Sequence, residues 1–132
     1  MELPDGWTDG TVYTYLGPDE GGVQHILTVS RDDDLEGRDL AEFAREHIEA
    51  TVAALAGTET LKDEPKELPD GRTVHEFVCR WIPVDGKAIF RKQVYLVAGG
   101  SGFVFAANMT KRTMKTVGVE IERMINSFRA GG

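Results

Sequence analysis

GRTVHEFVCRWIPVDGKAIFRKQVYLVA, residues Gly71 to Ala98, reads as two long strands that meet at Pro83-Val84-Asp85-Gly86. Val74, Phe77, Val78, Trp81 and Ile82 fill the first arm; Ile89, Phe90, Val94, Tyr95, Leu96 and Val97 fill the second. β-Branched and aromatic side chains suit a pleated surface, and Asp-Gly supplies the turn. One face of each arm is mostly apolar. The other mixes apolar residues with Glu76, Arg80, Arg91 and Gln93, and this reading places Val78, Ile89, Tyr95 and Val97 on the same side as Arg80, Arg91 and Gln93.

Working outward, Glu2 to Trp7 reads as a turn, Thr11 to Leu16 as a first strand and Gly17 to Gly22 as a loop. Val23 to Arg31 is a second strand, ended by Asp32-Asp33-Asp34 and Gly37. In Arg38 to Leu55, apolar residues from Leu40 through Phe43, Ala44 and Ile48 to Leu55 recur every three or four positions, one helical face. Asp39 is placed to accept from first-turn amides, and Gly57 to stop the helix. Glu59 to Leu68 is a polar strand, and Pro65, which lacks an amide donor, assigns it to an edge. After the hairpin, Gly102 to Thr110 is a last strand. Thr113 is expected to cap a closing helix that runs to about Arg129. The order predicts an α+β fold: an antiparallel sheet of five to six strands with two helices packed on one face.

A chain of 132 residues is one domain with room for a real core. Its opening MELPDGWTDG is acidic and has no apolar run, so a secretory signal is not expected there. No run approaches ~20 apolar residues, so direct membrane anchoring is not expected either. The single Cys79 allows no internal disulfide. These features point to a cytoplasmic protein. Residues 1–70 carry 18 acids and 5 bases, and residues 71–132 carry 4 acids and 10 bases, so the halves are −13 and +6. That asymmetry favours contact between halves or self-association. No dense basic patch with interleaved aromatics appears, so nucleic acid is not an expected partner.

Catalytic sets are hard to assemble. Cys79 and His75 stand four apart on one strand, roughly 13 Å between Cα atoms, too far for a thiol–imidazole bond. His25, His47 and His75 lie on different elements without zinc spacing, and Asp32-Asp33-Asp34 lacks the glycine and glutamate of an EF-hand. Gly99-Gly100-Ser101-Gly102 joins two strands and precedes no helix, a poor phosphate cradle. Lys111, Arg112 and Lys115, near the last helix, could hold an anion or an acidic partner. The expectation is a non-enzymatic protein without cofactor or metal. Its function should lie on whatever sheet face two helices leave uncovered. Ile26, Leu27, Thr28, Val29 and Ser30 from strand two, with Val78, Arg80, Arg91, Gln93 and Tyr95 from the hairpin, are the candidate partner-binding residues. A greasy face dotted with hydrogen-bonding groups suits a hydrophobic peptide or helix, and Gln93 can both donate to it and accept from it.

Four stretches, Leu3 to Asp9, Ile26 to Arg31, Arg91 to Tyr95 and Ile125 to Arg129, together resemble the DcrB-like family, end to end and in order. The resemblance implies a PsbP-like α/β fold. Members without an export signal include the Eag chaperones of type VI secretion. These hold the hydrophobic N-terminal transmembrane segments of toxin effectors, often PAAR-containing, until loading on the spike. It further implies a homodimer whose concave sheets cradle apolar helices, with Gln93 and Ile26 to Ser30 at the matching positions. Other relatives are exported lipoproteins, photosystem PsbP proteins and a partner of a small GTPase. His25 departs from the family's usual Asn. The leading expectation is thus a cytoplasmic adaptor chaperone for such effector segments, and the alternative a general interaction or regulatory module with a GTPase-like or other protein partner.

Overall fold

The computed structural model describes residues 12–20, 23–55, 57–82, 86 and 88–128. Six strands, β1 (Val12–Glu20), β2 (Val23–Asp32), β3 (Glu59–Glu67), β4 (Thr73–Trp81), β5 (Ile89–Ala98) and β6 (Ser101–Met109), form one sheet in the order β1-β2-β6-β5-β4-β3. Every neighbouring pair is antiparallel. The hairpin that organised the sequence is β4–β5, paired with Phe77 opposite Gln93 and Cys79 opposite Arg91. Its turn residues 83–85 lie outside the described residues, as do the expected turn at Glu2–Trp7 and the start of the first strand at Thr11.

Proline explains both sheet edges. Pro65 sits on β3, the last strand on one side, where a missing amide donor leaves no internal ladder position empty. At the other edge, β1 runs on to Glu20, through Gly17-Pro18-Asp19 where composition predicts a loop. The ladder accommodates this by a register shift between Leu16 and Asp19.

Helix α1 (Leu40–Ala54) starts as its sequence dictates. The Asp39 carboxylate accepts from the Glu42 amide at 2.8 Å, and the Glu42 side chain reaches back to the Asp39 amide, a reciprocal capping box. Gly57, at φ +72°, turns the chain just after the helix. The closing helix differs from expectation. Thr113–Lys115 is a single 3₁₀ turn, and α2 spans Val117–Ser127. Thr113 caps nothing in α2: it is buried, with its hydroxyl 2.8 Å from His25 Nε2 and accepting the Thr110 amide at 3.0 Å. The expected end near Arg129 lies outside the described residues.

The expectation that both helices pack on one face is corrected. Phe43, Ala44 and Ile48 of α1 pack with Phe77, Cys79 and Tyr95. Ile121 and Ile125 of α2 pack with Val74, Val94, Leu96, Phe103 and Phe105. Tyr95 lies between Val94 and Leu96 in β5, and successive strand residues point to opposite faces, so the helices cover opposite sides of the sheet. The physical reason is in β4 and β5 themselves. They are apolar on both faces, and each face must be removed from water. At one point α1 comes unusually close. A Cβ on Gly102 would stand 2.6 Å from the Phe43 ring, so only glycine lets Phe43 seat over β6.

Candidate functional site

The ten candidate partner-binding residues do not share a face. In β2, Leu27 and Val29 are buried in the α2 core, while Ile26, Thr28 and Ser30 point to the α1 side. In the hairpin, the pairing puts Arg91, Gln93 and Tyr95 with Phe77 and Cys79 under α1. Val78 and Arg80 belong to the α2 side. Grouping them with Arg91 and Gln93 is the second correction: it slips one residue across the turn, and with a period of two such a slip exchanges faces.

Gln93 has an internal role. It is 2% exposed. Its Oε1 accepts from Arg91 Nε at 2.6 Å and from the Thr51 hydroxyl of α1 at 3.1 Å, and its amide nitrogen donates to the Tyr95 hydroxyl. Burial pushes that hydroxyl up to about 12, so it stays neutral at physiological pH. Arg91 also donates to Asn108 at 3.4 Å on β6. The network pins α1 to the sheet, and the groups expected to meet a guest meet the chain's own helix.

What α1 leaves open is the β2–β6 side of its face. Ile26 is 41% exposed in mid-strand. Thr28, whose hydroxyl donates to the Ala106 carbonyl at 3.2 Å, Ser30, Val104 and Asn108 are half-buried. None of these carries a charge. Beside this strip, the flank of α1 bearing His47, Ala50, Thr51 and Ala54 encloses a depression of about 310 Å³ with Leu55 and Arg91. The strip and this flank form a shallow groove with a small-residue wall; its floor is uncharged along the strip and carries Arg91 where the depression meets Asn108.

The remaining sequence candidates are spread out. Cys79 is fully buried, and burial raises its thiol, the opposite of an activated nucleophile. His25 meets Thr113, His47 packs edge-on against Phe43, and His75 Nε2 is 2.6 Å from Asp63, which also takes both Arg45 guanidinium nitrogens. Among the described residues no group of three His, Cys, Asp or Glu is placed to hold a metal. Asp33 is held low, first by the Ser101 hydroxyl and then by Arg31. Lys111, Arg112 and Lys115 are exposed around the 3₁₀ turn.

A family model, DcrB, matches residues 1–127. The chain belongs to the DcrB family. A crystal structure of PA94 from Pseudomonas aeruginosa, a protein of unknown function described as a candidate regulator, superposes with a TM-score of 0.81 at 16% identity, covering 100% of this chain and 91% of that one. The solution structure of cyanobacterial PsbP (CyanoP) from Synechocystis sp. PCC 6803 superposes with a TM-score of 0.58 at 12% identity, covering 98% of each. At these identities the likeness concerns the fold, which is PsbP-like. No curated protein matches the chain. No helix among the described residues is long and apolar enough to cross a membrane.

In this DcrB-family chain, sequence reasoning missed the α1 flank and the role of Glu76. Ala50 and Ala54 carried a signal, small residues four apart beside the apolar stripe. Glu76 carried one too, as an acid facing Lys62 and Lys66 across a strand pair, but its burial depends on where α2 lies.

Proposed function

We propose that the chain is a non-enzymatic protein-interaction module, and that its groove receives an apolar helical segment of a partner protein. The observation that carries this reading is Ile26, exposed in mid-strand on an uncharged strip between β6 and the sheet edge. An exposed branched aliphatic surrounded by half-buried hydroxyls and an amide suits a helix that is apolar with occasional polar atoms. Ala50 and Ala54 permit close backbone approach, as small residues do between packed helices. In its finer form, supported by the sequence resemblance, the module is a cytoplasmic chaperone that shields the transmembrane-type segment of a type VI secretion effector, working as a homodimer.

Co-expression with such a segment is the test. The chain should hold the segment in the soluble fraction, and Ile26→Asp should lose it while keeping the fold. Retention of the segment by Ile26→Asp, or no capture by the unaltered chain, overturns the reading.

A second reading has its own support. Lys111, Arg112 and Lys115 are exposed together on the 3₁₀ turn and the residues before it, and PA94 is described as a candidate regulator. A regulatory partner with an acidic surface would then bind there. Charge reversal at these three positions would abolish binding, while Ile26→Asp would not.

A further inference from the structure

Arg91 is a half-buried cation at the end of the α1-side depression, where His47, Ala50, Thr51, Ala54 and Leu55 line the space with it. Its Nε is committed to Gln93 Oε1 at 2.6 Å, and Nη1 meets Asn108 Oδ1 only at 3.4 Å, beyond the usual range of a hydrogen bond. Among the described residues, Nη2 has no hydrogen-bond partner and no carboxylate is within salt-bridge distance of the guanidinium. Arg31, Arg38, Arg45, Arg72 and Arg80 each have such a carboxylate, and Arg112 and Arg123 are exposed to water. The acids of α1 are directed elsewhere: Glu42 closes the capping box, Glu46 pairs with Arg38, and Glu49 acts on Arg45. The carboxyl-terminal turn of α1, at Ala54 and Leu55, offers about half a negative charge, which offsets the guanidinium only in part.

The ladder sets this cation beside the open strip. Arg91 is opposite Asn108 on β6, and Ala107, the residue before Asn108, is opposite Leu27 on β2. One further step of the same register brings Asn108 to Ile26, so Ile26 and Arg91 stand two strands apart, roughly 10 Å. A helix with its side chains is about 10–12 Å across. Seated on Ile26, it covers Asn108 and brings its flank over Arg91. An all-apolar helix would strip water from the guanidinium and return nothing, which is a net cost. A helix with one Asp or Glu would replace that water with a charge-assisted pair to Nη1 and Nη2. The depression opens on the strip, so it suits a side chain from a seated helix better than a free small molecule, which would stay largely in water.

We propose, on the footing that the groove takes a helix, that Arg91 selects its occupant: an apolar helical segment that carries one Asp or Glu, with the carboxylate on Arg91. Two Lys-flanked Leu/Ala helical peptides, alike except for one central Glu or Gln, test this against the full chain by fluorescence anisotropy at neutral pH. The Glu peptide should bind about tenfold tighter or more, the size of one charge-assisted hydrogen bond. Arg91→Gln should abolish that preference. Should Arg91→Gln fail to fold, Asn108→Asp decides. It supplies a carboxylate from the neighbouring strand, and the chain should then bind the Gln peptide at least as tightly as the Glu peptide. If neither peptide binds the unaltered chain, the groove is not a helix site, and the role of Arg91 falls with it. If both bind equally, the groove stands and the role of Arg91 is overturned. A Glu preference that persists in a folded Arg91→Gln or Asn108→Asp chain overturns it as well, since the carboxylate is then held by another cation.

Discussion

Gln93 shows how one side chain decides the use of a face. With partners on α1 and on its own strand, it cannot be replaced by an apolar residue of similar size without leaving the buried Tyr95 hydroxyl and the Arg91 guanidinium short of a bond. Gln93→Leu is therefore expected to lower stability by about 1–3 kcal/mol, read as a shift in urea midpoint. Ile26→Asp, at an exposed position, should move the same midpoint by less than about 0.5 kcal/mol. The contrast separates a residue that holds the fold from one available to a partner. Gly102 is a third case. Gly102→Ala forces a methyl group into the Phe43 ring, and overpacking of this kind costs about 1–3 kcal/mol. Pairing it with Phe43→Leu should recover part of the loss, since the clash is with the ring edge. An additive double mutant would contradict that account.

At the scale of elements, α1 is held by a cap at one end, a buried amide network near the other, and Arg45–Asp63–His75 on its β3 side. The last of these is largely exposed and worth little alone, so most of the docking energy is Phe43, Ala44 and Ile48 against the sheet. Asp39→Ala removes the capping box and should cost about 0.5–2 kcal/mol. Hydrogen exchange should then show faster opening in the first turn of α1, with β5 and β6 protected as before. Equal loosening of the whole sheet would mean that α1 does not unfold as a separate unit. The cap of α1, the positions of most strands and the Pro65 edge were legible in the sequence because each depends on a few adjacent residues. The extension of β1 through Gly17-Pro18 was not, because composition does not report a ladder that skips a residue.

For the whole molecule, the sheet has a helix on each side, and each face holds a carboxylate among cationic side chains. On the α2 side, Glu76 is pushed up by burial, but the Lys62 hydrogen bond and the Lys92 and Lys66 charges outweigh this and hold it below its ordinary value. Asp63, on the α1 side, is likewise pushed up by burial and held low overall by Arg45 and His75. Groups depressed in the folded state bind protons more readily when unfolded. Their stabilisation is thus fully present above the ordinary carboxylate range and lost as pH falls through and below it. A series of urea midpoints from neutral pH to about pH 3 should fall most steeply in that acid range. Glu76→Gln should flatten the fall, and an unchanged slope would show that the lysine cluster does not stabilise the fold. By itself the sequence determined the α+β class, the order of the elements and the limits of several of them, because periodicity, the α1 cap and turn residues act over a few positions. It also showed apolar residues on both faces of the central strands. Only the tertiary structure decided that α1 and α2 take opposite faces, that Gln93 and Tyr95 are spent inside, and that Ile26 is left out. Those outcomes rest on register across the β4–β5 turn and on where each helix returns to the sheet, and both are set by contacts between residues far apart in the chain.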